Sequence, residues 1–137
     1  MTPVRLGAVS YLNARPCTFG LERDARFELR FDLPAPCAAL LHAGQIDVGL
    51  IPVIEYLRGG GGADTYRIVP DVGIGSNGPV ASVALYTKRP IADVQSLALD
   101  TSSRTSVALT RVMCERVFHI DPVLEPVGPD LIGRAHV

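Results

Sequence analysis

The chain is short of the features that most directly declare a chemistry. Its three cysteines, Cys17, Cys37 and Cys114, are scattered and odd in number. They form no Cys-x-x-Cys pair, so neither a zinc site nor a disulfide framework is indicated, and buried free thiols are expected. His42, His119 and His136 are isolated, and no two have metal-ligand spacing, so no metal is assigned. The net charge is -1 with no basic block, which argues against a nucleic-acid footprint. No apolar run approaches the roughly 18 residues of a membrane span. The start, Met-Thr-Pro-Val-Arg, lacks the apolar core of a signal peptide. The expectation is a cytoplasmic protein whose partners include neither nucleic acid nor membrane.

There is still ample material for a core. Of 137 residues, 47% are hydrophobic and 20% charged, too apolar for disorder and about one domain in length. Val4 to Val9 is a short apolar run broken only by Arg5, the mark of a buried strand. It opens into Ser10-Tyr11-Leu12-Asn13-Ala14-Arg15-Pro16. Polar groups at the carboxyl end of a buried strand lie where open α/β sheets hold ligands. Ser10 and Asn13 donate and accept hydrogen bonds without charge, which suits a polar small molecule better than a metal. The alternative is that one of them only caps the next helix.

The order that follows is β-α-β-α-β. A short helix is expected over Cys17 to Leu21, an alternating strand over Phe27 to Phe31, and a helix over Pro34 to Ala43 with Gly44 as its cap. Ile46 to Pro52 then reads as a third buried strand and Val53 to Arg58 as a short helix. Such an order implies a parallel sheet with crossover helices. Glu55, in the first turn of that last helix, reads as a solvated carboxylate favoured by the helix dipole, with a catalytic acid or base as the alternative.

Two glycine-rich stretches need separate treatment. Gly59 to Gly62 has no Gly-Lys-Ser/Thr after it, so it is a flexible turn rather than a P-loop. Gly73-Ile74-Gly75-Ser76-Asn77-Gly78 matches G-x-G-x-x-G in letters. A dinucleotide site needs a helix next, and Pro79 with the β-type run Val80 to Thr87 argues against one. The preferred reading is a turn between two strands, Tyr66 to Val69 being another, that brings Ser76 or Ser82 to a ligand.

Lys88-Arg89-Pro90 is a charged break and a candidate domain crossover. Asp93 to Ser96 reads as a helical turn, Leu97 to Leu99 as a strand, Val107 to Val117 as a helix, and Val123 to Val127 as a last strand. Between strand and helix stand Thr101-Ser102-Ser103-Arg104-Thr105-Ser106. A helix N-terminus offers free N–H groups and a positive dipole end, and hydroxyls and an arginine add donors. Simple capping needs one hydroxyl, not five, so an oxyanion or carboxylate site is favoured here.

Taken together, G-A-V-S-Y-L-N-A-R-P, G-Q-I-D-V-G-L-I-P-V-I-E-Y, I-G-S-N-G-P-V-A-S-V-A-L and A-L-D-T-S-S-R-T-S-V-A-L resemble the chorismate dehydratase family of the futalosine route to menaquinone. The related 1,4-dihydroxy-6-naphthoate synthases open on a Ser-Pro-Cys-Pro-Asn-Asp motif that this chain lacks. The resemblance implies an α/β, type II periplasmic-binding-protein-like fold, with a first lobe over 1–87 and an incomplete second lobe over 88–137. It implies loss of water from chorismate to give 3-[(1-carboxyvinyl)oxy]benzoate, by a carbon–oxygen lyase with no cofactor. It places Asn13 and Ser82 on the substrate ring and its hydroxyl. Ser10, Tyr11 and Ser76 line the substrate, and Thr101, Ser102, Ser103 and Thr105 hold a carboxylate. Family members are roughly twice this length, so the chain is expected to be a truncated form with unpaired sheet edges. The alternative in the same fold is a solute-binding module that clamps a small anion without catalysis.

Overall fold

The structure, a computed structural model, describes residues 2–59, 66–80 and 83–128. The chain divides into two compact units, Met1–Ser76 and Asn77–Val137. Each contains a parallel sheet joined by helices, so the class is α/β.

In the first unit, β1 (Val4–Val9) lies at the centre of a three-stranded sheet. Strand β2 (Phe27–Asp32) pairs with it along its whole length, from Val4 opposite Phe27 to Val9 opposite Asp32. Strand β3 (Val48–Gly49) pairs on the other side, with Gly7 opposite Gly49. All pairs are parallel, and the order is β2-β1-β3. The apolar run of β1 is explained by this placement: a strand hydrogen-bonded on both edges and covered by a helix becomes progressively buried toward Ala8 and Val9.

The covering helix is α2 (Pro34–His42). Pro34 stands in its first turn, where the missing N–H costs nothing, and Gly44 beyond its end takes φ +66, open to glycine. Cys37 and Ala38 form its buried face. Gly7 is what lets α2 approach: a Cβ there would lie 2.5 Å from Ile46 Cδ1 and 3.0 Å from Cys37 Sγ. Burial pushes the Cys37 thiol up to about 11, which keeps it protonated and inert at neutral pH.

The expected third strand, Ile46 to Pro52, is paired only at Val48 and Gly49. Flanking backbone bonds, Asp47 N–H to Arg5 O and Leu50 N–H to Gly7 O, both at 2.8 Å, continue the line. Pro52 has no N–H to offer, and α3 (Val53–Arg58) starts directly after it. The first helix also differs. A 3-10 turn at Leu12–Ala14 runs into α1 (Arg15–Thr18), so helical backbone begins earlier than Cys17. Pro16 sits in its first turn, and Gly20 at φ +84 turns the chain afterwards.

In the second unit, β4 (Ser96–Asp100) and β5 (Val123–Val127) form a parallel pair, Ser96 opposite Val123 and Asp100 opposite Val127. Leu97 and Leu99 point inward and meet Cys114, with Val94, Val107, Ile120 and Leu124 packed around them. Helix α4 (Arg104–Met113) starts three residues before the expected Val107. It widens into a π turn at Cys114–Phe118 that ends on His119 at φ +53. Among the described residues, no helix is long and apolar enough to cross a membrane.

The stretches expected as strands at Tyr66 to Val69 and Val80 to Thr87 form none among the described residues. Their apolar side chains, among them Ile68, Val69, Val80, Val83 and Leu85, are exposed. A β-type run becomes a strand only when its N–H and C=O groups find a neighbour, and these pair with no described strand. Among the described residues, no helix starts directly after Gly78, so the letters G-x-G-x-x-G carry no dinucleotide geometry there.

One ion pair ties the amino end of β1 to the approach of β3. Arg5 Nη2 donates to Asp47 Oδ1 at 2.6 Å, and its Nε and backbone N–H both donate to Oδ2. These bonds hold the Asp47 carboxyl at about 2, below its ordinary 3.8. A depressed carboxylate stabilises the fold above its ordinary value and stops doing so as pH falls through the depressed one. Asp47→Asn is therefore expected to lower the melting temperature at neutral pH, with the gap to the parent closing between about pH 4 and pH 2. Thermal melts of both proteins across that range check it.

Candidate functional site

The strand order β2-β1-β3 reverses direction at β1. The chain passes from the central strand to one neighbour, then crosses to the other. In open parallel sheets, ligands lie beyond the carboxyl ends of the strands at that reversal. Ser10, Tyr11 and Asn13 stand there, directly after Val9, and all three are exposed. The Ser10 N–H donates to Asp32 O at 3.1 Å, and Ala14 N–H donates to Tyr11 O at 3.0 Å, so the backbone of this turn is fixed. The capping alternative is decided by geometry. The N-cap positions are Tyr11 for the 3-10 turn and Ala14 for α1, and neither element has a side-chain cap. The Ser10 hydroxyl and the Asn13 amide make no hydrogen bond among the described residues and are available to a ligand.

The second cluster lies at the junction of β4 and α4. Ser103 is the N-cap of α4, but its hydroxyl bonds Ser106 Oγ at 2.7 Å rather than a backbone N–H. Asp100 orders the turn instead: its Oδ1 accepts from Ser102 N–H at 2.8 Å, and its carbonyl accepts from Ser103 N–H. Thr101 is committed to the sheet, its hydroxyl and N–H both donating to Val127 O at 3.2 and 3.1 Å. Thr105 lies in the first turn of α4, half-buried. The start of α4 thus has no side-chain cap. Ser76 is exposed at the end of the first unit, and Ser82 lies outside the described residues. Among the described residues, no group of three His, Cys, Asp or Glu side chains gathers as a metal site.

The residue that the sequence misjudged is Glu55. It is 1% exposed, not solvated. Its Oε1 accepts from Arg58 Nη1 and its Oε2 lies 3.2 Å from His42 Nε2. The other ring nitrogen, Nδ1, lies 2.5 Å from the Tyr66 hydroxyl. With the hydrogen on Nε2, the ring donates to the carboxylate and accepts from the phenol. The Tyr66 ring also lies on Gly59, where a Cβ would come within 2.7 Å of Cδ2. The first glycine of the tract is therefore fixed by contact. A signal for Glu55 lay in its i,i+3 spacing to Arg58. His42 and Tyr66, 13 and 11 residues away, gave none. A carboxylate engaged on both oxygens is an anchor between α2, α3 and the following segment, not a poised base.

Residues 4–136 match the family described as menaquinone biosynthesis. The chain belongs to this menaquinone-biosynthesis family. It is 31% identical over 113 residues to a chorismate dehydratase of Thermus thermophilus, an alignment covering 82% of this chain and 40% of that protein. In this menaquinone-biosynthesis chain, Glu55→Gln keeps the shape but removes the charge that Arg58 and His42 face. It is expected to cost about 1–3 kcal/mol of stability, read as a lower denaturation midpoint with an unchanged slope.

Proposed function

We propose that the chain acts on chorismate, removing water to give 3-[(1-carboxyvinyl)oxy]benzoate as a carbon–oxygen lyase of the futalosine route, without a cofactor. The similarity to the Thermus chorismate dehydratase carries this reading. The fold it goes with is periplasmic-binding-protein-like, with lobes over 1–87 and 88–137, in the cytoplasm.

The chemistry asks little of protein acids and bases. The bond from C3 of the ring to hydrogen breaks, the C4 hydroxyl leaves, and the ring becomes aromatic, so the reaction is downhill. The protein's task is to orient the substrate and stabilise developing charge. Asn13 and Ser82 act on the ring and its hydroxyl, and Ser10, Tyr11 and Ser76 line the substrate. Ser102, Ser103 and Thr105, with Thr101 holding the turn to β5, receive a carboxylate. The enolpyruvyl carboxylate of the substrate takes the C3 proton. The engagement of both Glu55 oxygens supports that choice over a protein base at Glu55.

The test is chorismate consumption with mass spectrometry of the product. Turnover to a product lighter by one water, reduced about 100-fold in Asn13→Ala, is expected. Glu55→Gln is expected to turn over in proportion to its folded fraction. Saturable chorismate binding without turnover would favour the anion-binding module. Neither binding nor turnover would remove chorismate as the ligand.

A further inference from the structure

Arg15 stands out among the arginines of the first unit. Arg5, Arg26, Arg30 and Arg58 each spend their donors on a carboxylate: Asp47, Asp24, Asp32 and Glu55. Arg15 has no acidic partner among the described residues. Its guanidinium instead lies over the face of Phe31, with Cζ 4.9 Å from the ring centroid. Arg23 and Arg67 also lack an acidic partner among the described residues, but Arg23 lies in the turn leading to the amino end of β2, and Arg67 is exposed in a stretch outside any helix or strand. Arg15 and Phe31 belong to the opposite edge. Arg15 opens α1 immediately after the Ser10–Asn13 turn, and Phe31 pairs with Ala8 near the carboxyl end of the sheet.

An aromatic face restrains a guanidinium without using its N–H donors. The charge is held in place, and the fork that recognises a carboxylate through two parallel bonds stays free. We infer that Arg15 binds the ring carboxylate of the substrate, with Phe31 as its positioning residue. This rests on the chorismate reading above and extends it.

Reaction chemistry selects which of the two carboxylates. The enolpyruvyl carboxylate is the proton acceptor in the proposed reaction, and a guanidinium upon it would lower its basicity. The ring carboxylate has the opposite need. When the C3–H bond breaks, its electron pair delocalises through C2 to C1 and into the attached carboxylate. The C4–O bond then breaks, the hydroxyl leaves with the transferred proton as water, and the electron pair closes the aromatic ring. A fixed cation at the ring carboxylate therefore gains interaction as the charge develops. Arg15 is expected to affect turnover as well as binding.

The test measures binding of two ligands to the whole chain by calorimetry. One is the dicarboxylate product, 3-[(1-carboxyvinyl)oxy]benzoate. The other is the same enolpyruvyl phenyl ether without the ring carboxylate. The parent is compared with Arg15→Ala and Arg15→Lys, and melting of each unliganded protein confirms folding. The expected result is a loss of about 10- to 100-fold for the dicarboxylate in Arg15→Ala, a smaller loss in Arg15→Lys, and no change for the ether lacking that group. Equal losses for both ligands would make Arg15 a structural residue and overturn the inference. Undiminished dicarboxylate binding in Arg15→Ala would overturn it while leaving the chorismate reading in place. Failure of the parent to bind the dicarboxylate or chorismate would overturn both.

Discussion

The first unit depends on β1 being hydrogen-bonded along both edges. A strand in that position has to be apolar, has to carry a small residue where a helix crosses it, and has to release the chain at its carboxyl end. Val4–Val9 meets all three demands, with Gly7 as the small residue and Ser10 as the first residue released. The turn that follows is fixed by backbone bonds to Asp32 and within itself, so its side chains need not hold the structure together. Among the described residues, the Ser10 and Asn13 side chains make no hydrogen bond, because the backbone already does the structural work.

Charge in this unit is handled by pairing at its periphery. Arg5 with Asp47, Arg26 with Asp24 and Arg30 with Asp32 are exposed pairs, each worth little by itself. Glu55 is different because its carboxylate is buried while its partners reach solvent. Such a group fixes the relative placement of the segments that meet on it more than it adds net stability.

Where local pattern and local environment agree, the sequence was easy to read. Val4–Val9, Val53–Arg58 and Val123–Val127 have the bounds that periodicity and the flanking prolines indicate. The helix after Phe31 was marked at both ends, by Pro34 and Gly44. The runs at Tyr66–Val69 and Val80–Thr87 were misread because β-pattern is a statement about side chains. A strand also requires a backbone partner, which no stretch carries within itself. The Ser10–Asn13 turn was legible from its position after an apolar strand, whereas the absence of hydrogen bonds from the Ser10 and Asn13 side chains among the described residues needed the structure. Glu55 was misjudged because its burial is decided by His42 and Tyr66, whose proximity is a product of the crossover and not of spacing.

The parallel pairing of β1 has a consequence for how the chain is made. Arg5 meets Asp47 across 42 residues, and Gly7 meets Gly49 only after α2 has crossed the sheet. On a ribosome adding about 5–20 residues per second, β1 waits several seconds for its second neighbour. During that interval its apolar face and one open edge are available to any other extended chain. The nascent protein is thus most vulnerable to misassociation through the strand that is best protected once folded.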